Sequence, residues 1–427
     1  MSDLSLEALG SIVYAKAKAL SRLAAENDNS PTRNGTIRSD SSSAIILMAR
    51  HELIQAAKEL LQLVMMPSEY LLSLALSGAD TANLELLIRF EIAQNVPLDS
   101  SIEISTLSTK VNLPEDDLKR ALRFAISNGI FQEPTPNNIS HSDLSTALAT
   151  DTHLRNVLCF SAEWTGGVLT KTPKYLASRA ERGEKNVPKT SFSFAFNTEE
   201  DFFDYMTHSK ELNAKYHNFL MGRANTPMWS MDRLRAAWDW ASLGSKTIVD
   251  VGGSSGHTVM AIAPLAPDAQ FIVQDNDSSA LELGKYQAQK LLDDETRSRI
   301  TFQKHNFFED QPVHAECYIL RHVLHDWNDQ DSIAMLKALL VVLEPGCRVF
   351  ISEGLLPDPP AQRLHTLASK MILIEDQFIM AAHDSHERTL NDYVQLFKRV
   401  SSRFKLVGVT SGAKDGAFQS LLEFQVN

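Results

Sequence analysis

Two local patterns in this 427-residue chain have the residue types and spacing to do chemistry. The first is Asp250-Val251-Gly252-Gly253-Ser254-Ser255-Gly256, which follows the β-branched run Thr247 to Val251 and opens a helical stretch. Small residues there let the backbone approach a ligand closely. The window does not satisfy the dinucleotide fingerprint GxGxxG. It satisfies the looser acid-x-Gly-x-small-x-Gly, which alone says only that a nucleotide binds. Asp275, at the end of the next apolar run, strengthens that reading. It stands where an acid hydrogen-bonds both ribose hydroxyls, although a helix cap is the plainer alternative. The second pattern is His325-Asp326-Trp327, after the apolar run Cys317 to Val323. A histidine there sits at the carboxyl edge of a sheet, where open α/β folds bind ligands. A neutral imidazole within hydrogen-bond reach of a hydroxyl can take its proton as a bond forms.

Taken in order, these motifs resemble those of the plant and fungal small-molecule O-methyltransferases of the caffeic-acid type. The resemblance runs from about Ala82 to the C-terminus. Val249-Asp250-Val251-Gly252-Gly253 resembles that family's cofactor loop, and Gln274-Asp275 its ribose-binding acid. His305-Asn306-Phe307-Phe308 aligns with its adenine-contacting segment, and Arg321 with a Lys or Arg near the cofactor. Leu324-His325-Asp326-Trp327 matches its catalytic-base motif. Glu353 and Glu387-Arg388-Thr389 match the two carboxylate positions flanking that base.

The resemblance implies S-adenosylmethionine as cofactor, held by Gly252, Gly253, Asp275, Asn306, Phe307 and Arg321, with no metal. It implies His325 as general base, with Glu387 fixing its tautomer and Glu353 able to do so from the other side. Asp326 is expected to cap the following helix. Trp327, Met371, Phe378, Met380 and Asp384 are the expected substrate contacts, although a Met and Phe stripe at helical spacing reads equally as core. The expected reaction is methylation of a phenolic or enolic secondary metabolite, an aromatic or polyketide-like small molecule. The alternative is dehydration or pericyclic cyclisation on the same fold with the cofactor retained. Asn306 stands where the family usually has Asp, Asn276-Asp277 replaces Leu-Pro, and His383-Asp384 replaces His-Asn. The segment between Met380 and Glu387 is also shorter than in the plant enzymes. These departures indicate a fungal-type member with its own substrate.

The elements that must position these residues alternate strand and helix. Thr247 to Val251, Phe271 to Gln274, Ile300 to Gln303, Cys317 to Val323 and Arg348 to Ser352 are strand-like runs. Phe404 to Thr410 and Ser420 to Phe424 add two more. The alternation predicts an α/β fold, and the resemblance makes it a Rossmann-like methyltransferase domain with a mostly parallel, seven-stranded sheet over 241–427. Ahead of it, 1–80 reads as helices with a mobile loop near 27–43, rich in Ser, Asn and Thr. The block 81–185 has winged-helix order. It contains a helix from Ala82 to Asn95 and a second from Ile104 to Thr109. A third is capped by Asn112, and a hairpin follows from Ile130 to Ser142. The helix in the recognition position begins Glu115-Asp116-Asp117, and the chain carries a net charge of -12, so dimerisation is favoured over nucleic acid. A non-catalytic winged-helix regulator is the third reading. Residues 186–240 read as linking helices, and the phenylalanines between Pro188 and Phe203 as a hydrophobic seam rather than a lid.

Hydrophobic residues make up 44% and charged residues 22%, ordinary for a globular chain with sizeable cores. Cys159, Cys317 and Cys347 are far apart, which suits a reducing, cytoplasmic location better than a disulfide framework. No apolar stretch in the sequence approaches the roughly 20 residues of a membrane span. A homodimer is expected.

Overall fold

The computed structural model describes residues 5–26, 44–183, 187–226, 229–357, 367–410 and 419–427. The segment 27–43, expected to be a loop, lies outside them. The chain divides into two compact units. One comprises Met1–Leu71, Pro227–Met380 and Asp384–Asn427, and the other Leu72–Thr226 and Ala381–His383.

The second unit contains a three-stranded antiparallel sheet of β1 (Ile102–Glu103), β2 (Phe131–Thr135) and β3 (Asn138–His141), in the order β1-β3-β2. Helices Ile104–Val111 and Glu115–Ser127 pack with it around Leu107, Leu118, Leu122, Phe131 and Ile139, all buried. Two local expectations fail here. The helix expected from Ala82 to Asn95 is broken into Gly78–Arg89 and Ile92–Asn95, because Glu91 adopts a left-handed conformation (φ 50°). The turn re-aims Ile92 and Ala93 into the core. Asn112 does not start a helix. It ends the preceding one in the left-handed region (φ 52°), a conformation asparagine tolerates.

Pro67–Arg89 is long and apolar enough to cross a membrane, with a mean hydropathy of 1.3 over its most apolar window. That corrects the expectation that no such stretch exists. Polar residues interrupt its leucines, and Ser77 divides it into Pro67–Leu76 and Gly78–Arg89.

The first unit is built on β4 (Thr247–Val251), β5 (Gln270–Asp275), β6 (Ile300–Lys304), β7 (Cys317–Arg321), β8 (Arg348–Leu356), β9 (Arg388–Thr389), β10 (Phe404–Thr410) and β11 (Gln419–Val426). Seven strands lie in the order β10-β11-β8-β7-β4-β5-β6, and the two-residue β9 runs beside the end of β8. Pairings among β4 to β8 are parallel, while β11 is antiparallel to both β8 and β10. The central strands β4, β7 and β8 are buried and mainly apolar because helices cover both faces. One face buries Val249, Tyr318, Leu320, Ile351 and Leu422 against Leu336, Leu339, Leu396 and Phe397 of helices Asp329–Leu340 and Leu390–Val400. Each such side chain contributes about 1.5–3 kcal/mol by leaving water.

The chain winds from β4 to β6 on one side and from β7 onward on the other. The loops after β4 and β7 therefore part at the carboxyl edge and leave a crevice. Two strand ends differ from expectation. β7 stops at Arg321, because His322 turns left-handed (φ 52°). β8 continues to Leu356, held by β11 through Glu353 and Gly354 and by β9 through Leu355 and Leu356. Glu353 is thus inside a strand and not at its end.

Candidate active site

The turn after β4 is built for close approach. Gly252 has φ 72°, and a Cβ there would meet Val323 at 3.0 Å and the Phe307 ring at 3.5 Å. At Gly253 a Cβ would lie 2.5 Å from an Asp250 carboxylate oxygen, so only glycine fits. Gly253 N–H donates to the Gln274 carbonyl at 2.9 Å, which ties the turn to β5. Asp275 closes the turn from that strand. It accepts from Ser254 N–H and from Asp277 N–H, both at 2.8 Å. The helix cap is Asp277, which accepts from Ser279 N–H, so Asp275 is not that cap.

Asn306, half-buried, accepts from Phe308 N–H at 3.1 Å. Phe307 leans over Gly252 and meets Phe308 and Trp327 edge-on, with ring centroids 5.1 and 5.7 Å away. Arg321 is buried at the end of β7. Its guanidinium meets His257 Nε2 at 3.0 Å and donates to the Trp229 carbonyl at 3.4 Å. Asp250 lies beneath the turn, fully buried, and neither carboxylate oxygen has a hydrogen-bond partner. Burial pushes its pKa up to about 7, partly offset by the Arg321 charge. In the sequence Asp250 is the acid that opens the glycine pattern, and the fold adds that its carboxylate is buried beneath the turn.

His325 lies in the short 3-10 turn Leu324–Asp326 after β7 and is 4% exposed. Its Nδ1 meets Glu387 Oε1 at 2.7 Å, and Glu353 Oε2 stands 3.7 Å from the same nitrogen. In the neutral ring, an Nδ1–H donating to Glu387 leaves the lone pair on Nε2. Asp326 does not cap the following helix. Its Oδ1 sits 3.6 Å from His325 Nε2, and Asn328 caps the helix by accepting from Gln330 and Asp331 N–H. Burial alone would lower the His325 pKa. The Glu353 and Glu387 carboxylates, with Asp326, outweigh burial and hold it well above 6.5. Burial pushes both glutamates up, and the imidazolium pulls them back.

Glu353 Oε1 accepts from Val323 and Leu324 N–H, both at 3.0 Å, and Glu387 N–H donates to Asp376 at 2.8 Å. The histidine turn is also clamped from behind. Fully buried Arg388 donates to the Leu324 carbonyl at 2.7 Å and the Trp327 carbonyl at 2.9 Å. Arg388 was visible in the sequence only as the middle of a motif, since its partners lie about 60 residues upstream.

The structure brings Gly252, Gly253, Asp275, Phe307 and Arg321 to one edge of the sheet, and His325, Glu353 and Glu387 into one buried cluster. The five expected substrate contacts are more scattered. Trp327 sits against Phe307 and Phe308, with the expected cofactor residues. Met371 packs with Trp229, Ile372 and Leu356. Phe378 is half-buried and Met380 is 39% exposed, both on helix Leu367–His383. Asp384, in a left-handed turn beyond it, is exposed.

A parallel sheet with this strand order, a glycine turn after β4 and an acid closing it from β5, is the nucleotide-cofactor architecture of methyltransferases. Residues 174–402 match the model of the O-methyltransferase domain. The chain belongs to the O-methyltransferase family and is an S-adenosylmethionine-dependent O-methyltransferase. It is 30% identical to O-methyltransferase aoiF of Aspergillus oryzae, covering 88% of each chain. It is 32% identical to the grayanic acid biosynthesis cluster O-methyltransferase of Cladonia grayi, over 79% of this chain and 71% of that one. Among solved structures it is similar in fold to OxaC in complex with SAH and oxaline, with TM-score 0.75 and 21% identity over 98% of this chain and 100% of that one. It is also similar to a protein described as a pericyclic reaction enzyme, with TM-score 0.75 and 21% identity over 97% and 99%.

The cofactor fits this chain on two observations. The turn excludes any side chain at Gly253, and the buried Asp250 carboxylate has unspent hydrogen-bonding capacity beneath it.

Proposed function

We propose that this enzyme methylates a phenolic or enolic oxygen of a flat, polyketide-like secondary metabolite, and that His325 takes the proton. The observation carrying this reading is the His325 ring itself, with Nδ1 committed to Glu387 at 2.7 Å and Nε2 turned away from that partner. A phenol titrates near pH 10 and is a poor nucleophile at neutrality. A base at its hydroxyl is worth roughly 10²–10⁴-fold. Glu387 fixes the tautomer that accepts at Nε2, as a carboxylate does in other histidine-based sites. Glu387 and Glu353 together stabilise the imidazolium that results. Gly252, Gly253, Asp275, Asn306, Phe307 and Arg321 would hold S-adenosylmethionine, which supplies the methyl group and a leaving group that needs no proton. Fungal secondary metabolism is supported by the relatives from Aspergillus oryzae and Cladonia grayi, the latter described as part of a biosynthesis cluster.

Incubation with a methyl-labelled donor and a fungal metabolite extract tests the reaction. Label should move to a small acidic phenol or enol. Conversion of a metabolite without label would favour dehydration or pericyclic cyclisation instead. The proposal includes a cytoplasmic homodimer formed through 81–185 and no nucleic-acid or membrane partner. Light scattering giving a monomer at micromolar concentration would remove the dimer.

The carboxylates also predict the pH profile. His325 must be neutral to act, and its pKa is raised, so activity is lost as pH falls through a value above 6.5. Glu387→Gln removes one charge that favours the imidazolium, so the acid limb should move to lower pH. The plateau rate should fall by about tenfold or more, because the tautomer is no longer held. A full pH–rate profile checks this, and an unmoved acid limb would disconnect Glu387 from the base.

A further inference from the structure

We propose that His322 is a positioning residue for His325, acting through the carboxylate of Glu353 that the two histidines share. The inference rests on His325 being the base, but its geometry is independent of any substrate.

His322 is the first residue beyond β7. Its N–H still donates to the Ser352 carbonyl at 3.1 Å, completing the strand pairing. Its φ of 52° then turns the chain out of the sheet, and the next two N–H groups, of Val323 and Leu324, converge on Glu353 Oε1. A left-handed conformation is unfavourable for a residue with a Cβ, and less so for glycine or asparagine. The imidazole is therefore retained at a position that disfavours it, and its contacts indicate why. Nδ1 faces Glu353 Oε2 at 3.5 Å. Nε2 meets the side-chain amide nitrogen of Gln419, which is on β11 opposite Gly354. Gln419 thus occupies Nε2, and Nδ1 is the ring nitrogen that faces Glu353.

Glu353 Oε2 thus lies between two histidine Nδ1 atoms, at 3.5 Å from His322 and 3.7 Å from His325. The two rings have centroids 5.2 Å apart. Glu353 is fully buried, so each donor that holds it ionised counts. Other groups facing the cluster are Glu387 ahead of β9, Asp326 in the histidine turn, and the Tyr393 phenol of helix Leu390–Val400, beside which Arg388 lies. Glu375 and Asp376 of helix Leu367–His383 stand behind Glu387. His322 brings a second imidazole nitrogen to Glu353, beside that of His325. Removing it should leave Glu353 easier to protonate, and a neutral Glu353 supports the His325 imidazolium less.

Imidazole-nitrogen NMR of the full-length chain labelled with 15N-histidine reads this directly, with no substrate present. The variants are His322→Gly, which relieves the left-handed backbone, His322→Asn, which keeps a donor near Nδ1 and tolerates that backbone, and Glu353→Gln. His322→Gly should lower the His325 titration midpoint by on the order of one pH unit, the size of one lost partner. Glu353→Gln should shift it the same way, and His322→Asn should restore most of it. In the Glu353→Gln background, His322→Gly should add little, because both changes act on one carboxylate. An unmoved midpoint in folded His322→Gly would overturn the proposal. So would an equal shift with and without Glu353. If His322→Gly does not fold, the Asn variant decides alone: a midpoint lowered as far as in Glu353→Gln would mean that a donor at this position is not what matters. Because the midpoint is read without turnover, this inference can fail while methyl transfer stands, and the reverse.

Discussion

His325→Ala is expected to lower methyl transfer by about 10²–10⁴-fold, the contribution of a positioned base, while cofactor affinity changes by no more than a few fold. The separation of the two effects follows from placement. His325 is held by Glu387 and lies near Glu353 and Asp326, whereas the glycine turn is closed by Asp275 from β5 and hydrogen-bonded to Gln274. Alanine also strands two buried carboxylates. Leaving a buried charge without its partner typically costs about 3–5 kcal/mol. His325→Gln is therefore the paired variant, since its amide can still donate to Glu387 but cannot accept a proton at neutral pH. Single-turnover rates and calorimetry with S-adenosylhomocysteine separate the losses. Normal transfer by either folded variant would remove His325 from the mechanism.

Asp275→Ala is expected to weaken cofactor binding by about 30- to 1000-fold, from two hydrogen bonds between a charged acceptor and ribose hydroxyls at roughly 1–2 kcal/mol each. The same carboxylate accepts from Ser254 and Asp277 N–H, so alanine also loosens the turn that Gly252 and Gly253 form. Asp275→Asn divides these effects. It keeps one acceptor oxygen for one of the two backbone groups, but loses the charge and presents a donor to the other. Its affinity should fall between those of the native enzyme and Asp275→Ala. Unchanged calorimetric affinity in the alanine variant would mean that the ribose lies elsewhere.

The readable features of this chain were local ones. The glycine turn, the acid one strand later and the His-Asp-Trp run are contiguous or nearly so, and each occupies a loop at a strand end. The parallel sheet was readable because strands covered on both faces are rich in apolar residues, as in Ile248-Val249 and Cys317 to Leu320. What sequence order concealed was local geometry set by distant partners. Glu91 and Asn112 adopt left-handed conformations that no composition rule singled out, one breaking a helix and the other ending one. β8 runs on through Glu353 because β11 and β9 supply hydrogen bonds there. Asp326 yields the helix cap to Asn328.

The amino-acid sequence alone therefore determined the class of fold, the cofactor and the family, because these rest on short motifs and on a hydrophobic period that each segment carries by itself. The tertiary structure decided the electrostatics around His325. Glu353, Glu387, His322 and Gln419 come from four separate stretches of chain, and only the pairing of β7, β8, β9 and β11 brings their polar atoms within a few ångströms. Charge interactions and burial act through space and not along the chain, so the raised pKa of His325 and the approach of His322 to the Glu353 carboxylate had no signature in the order of residues.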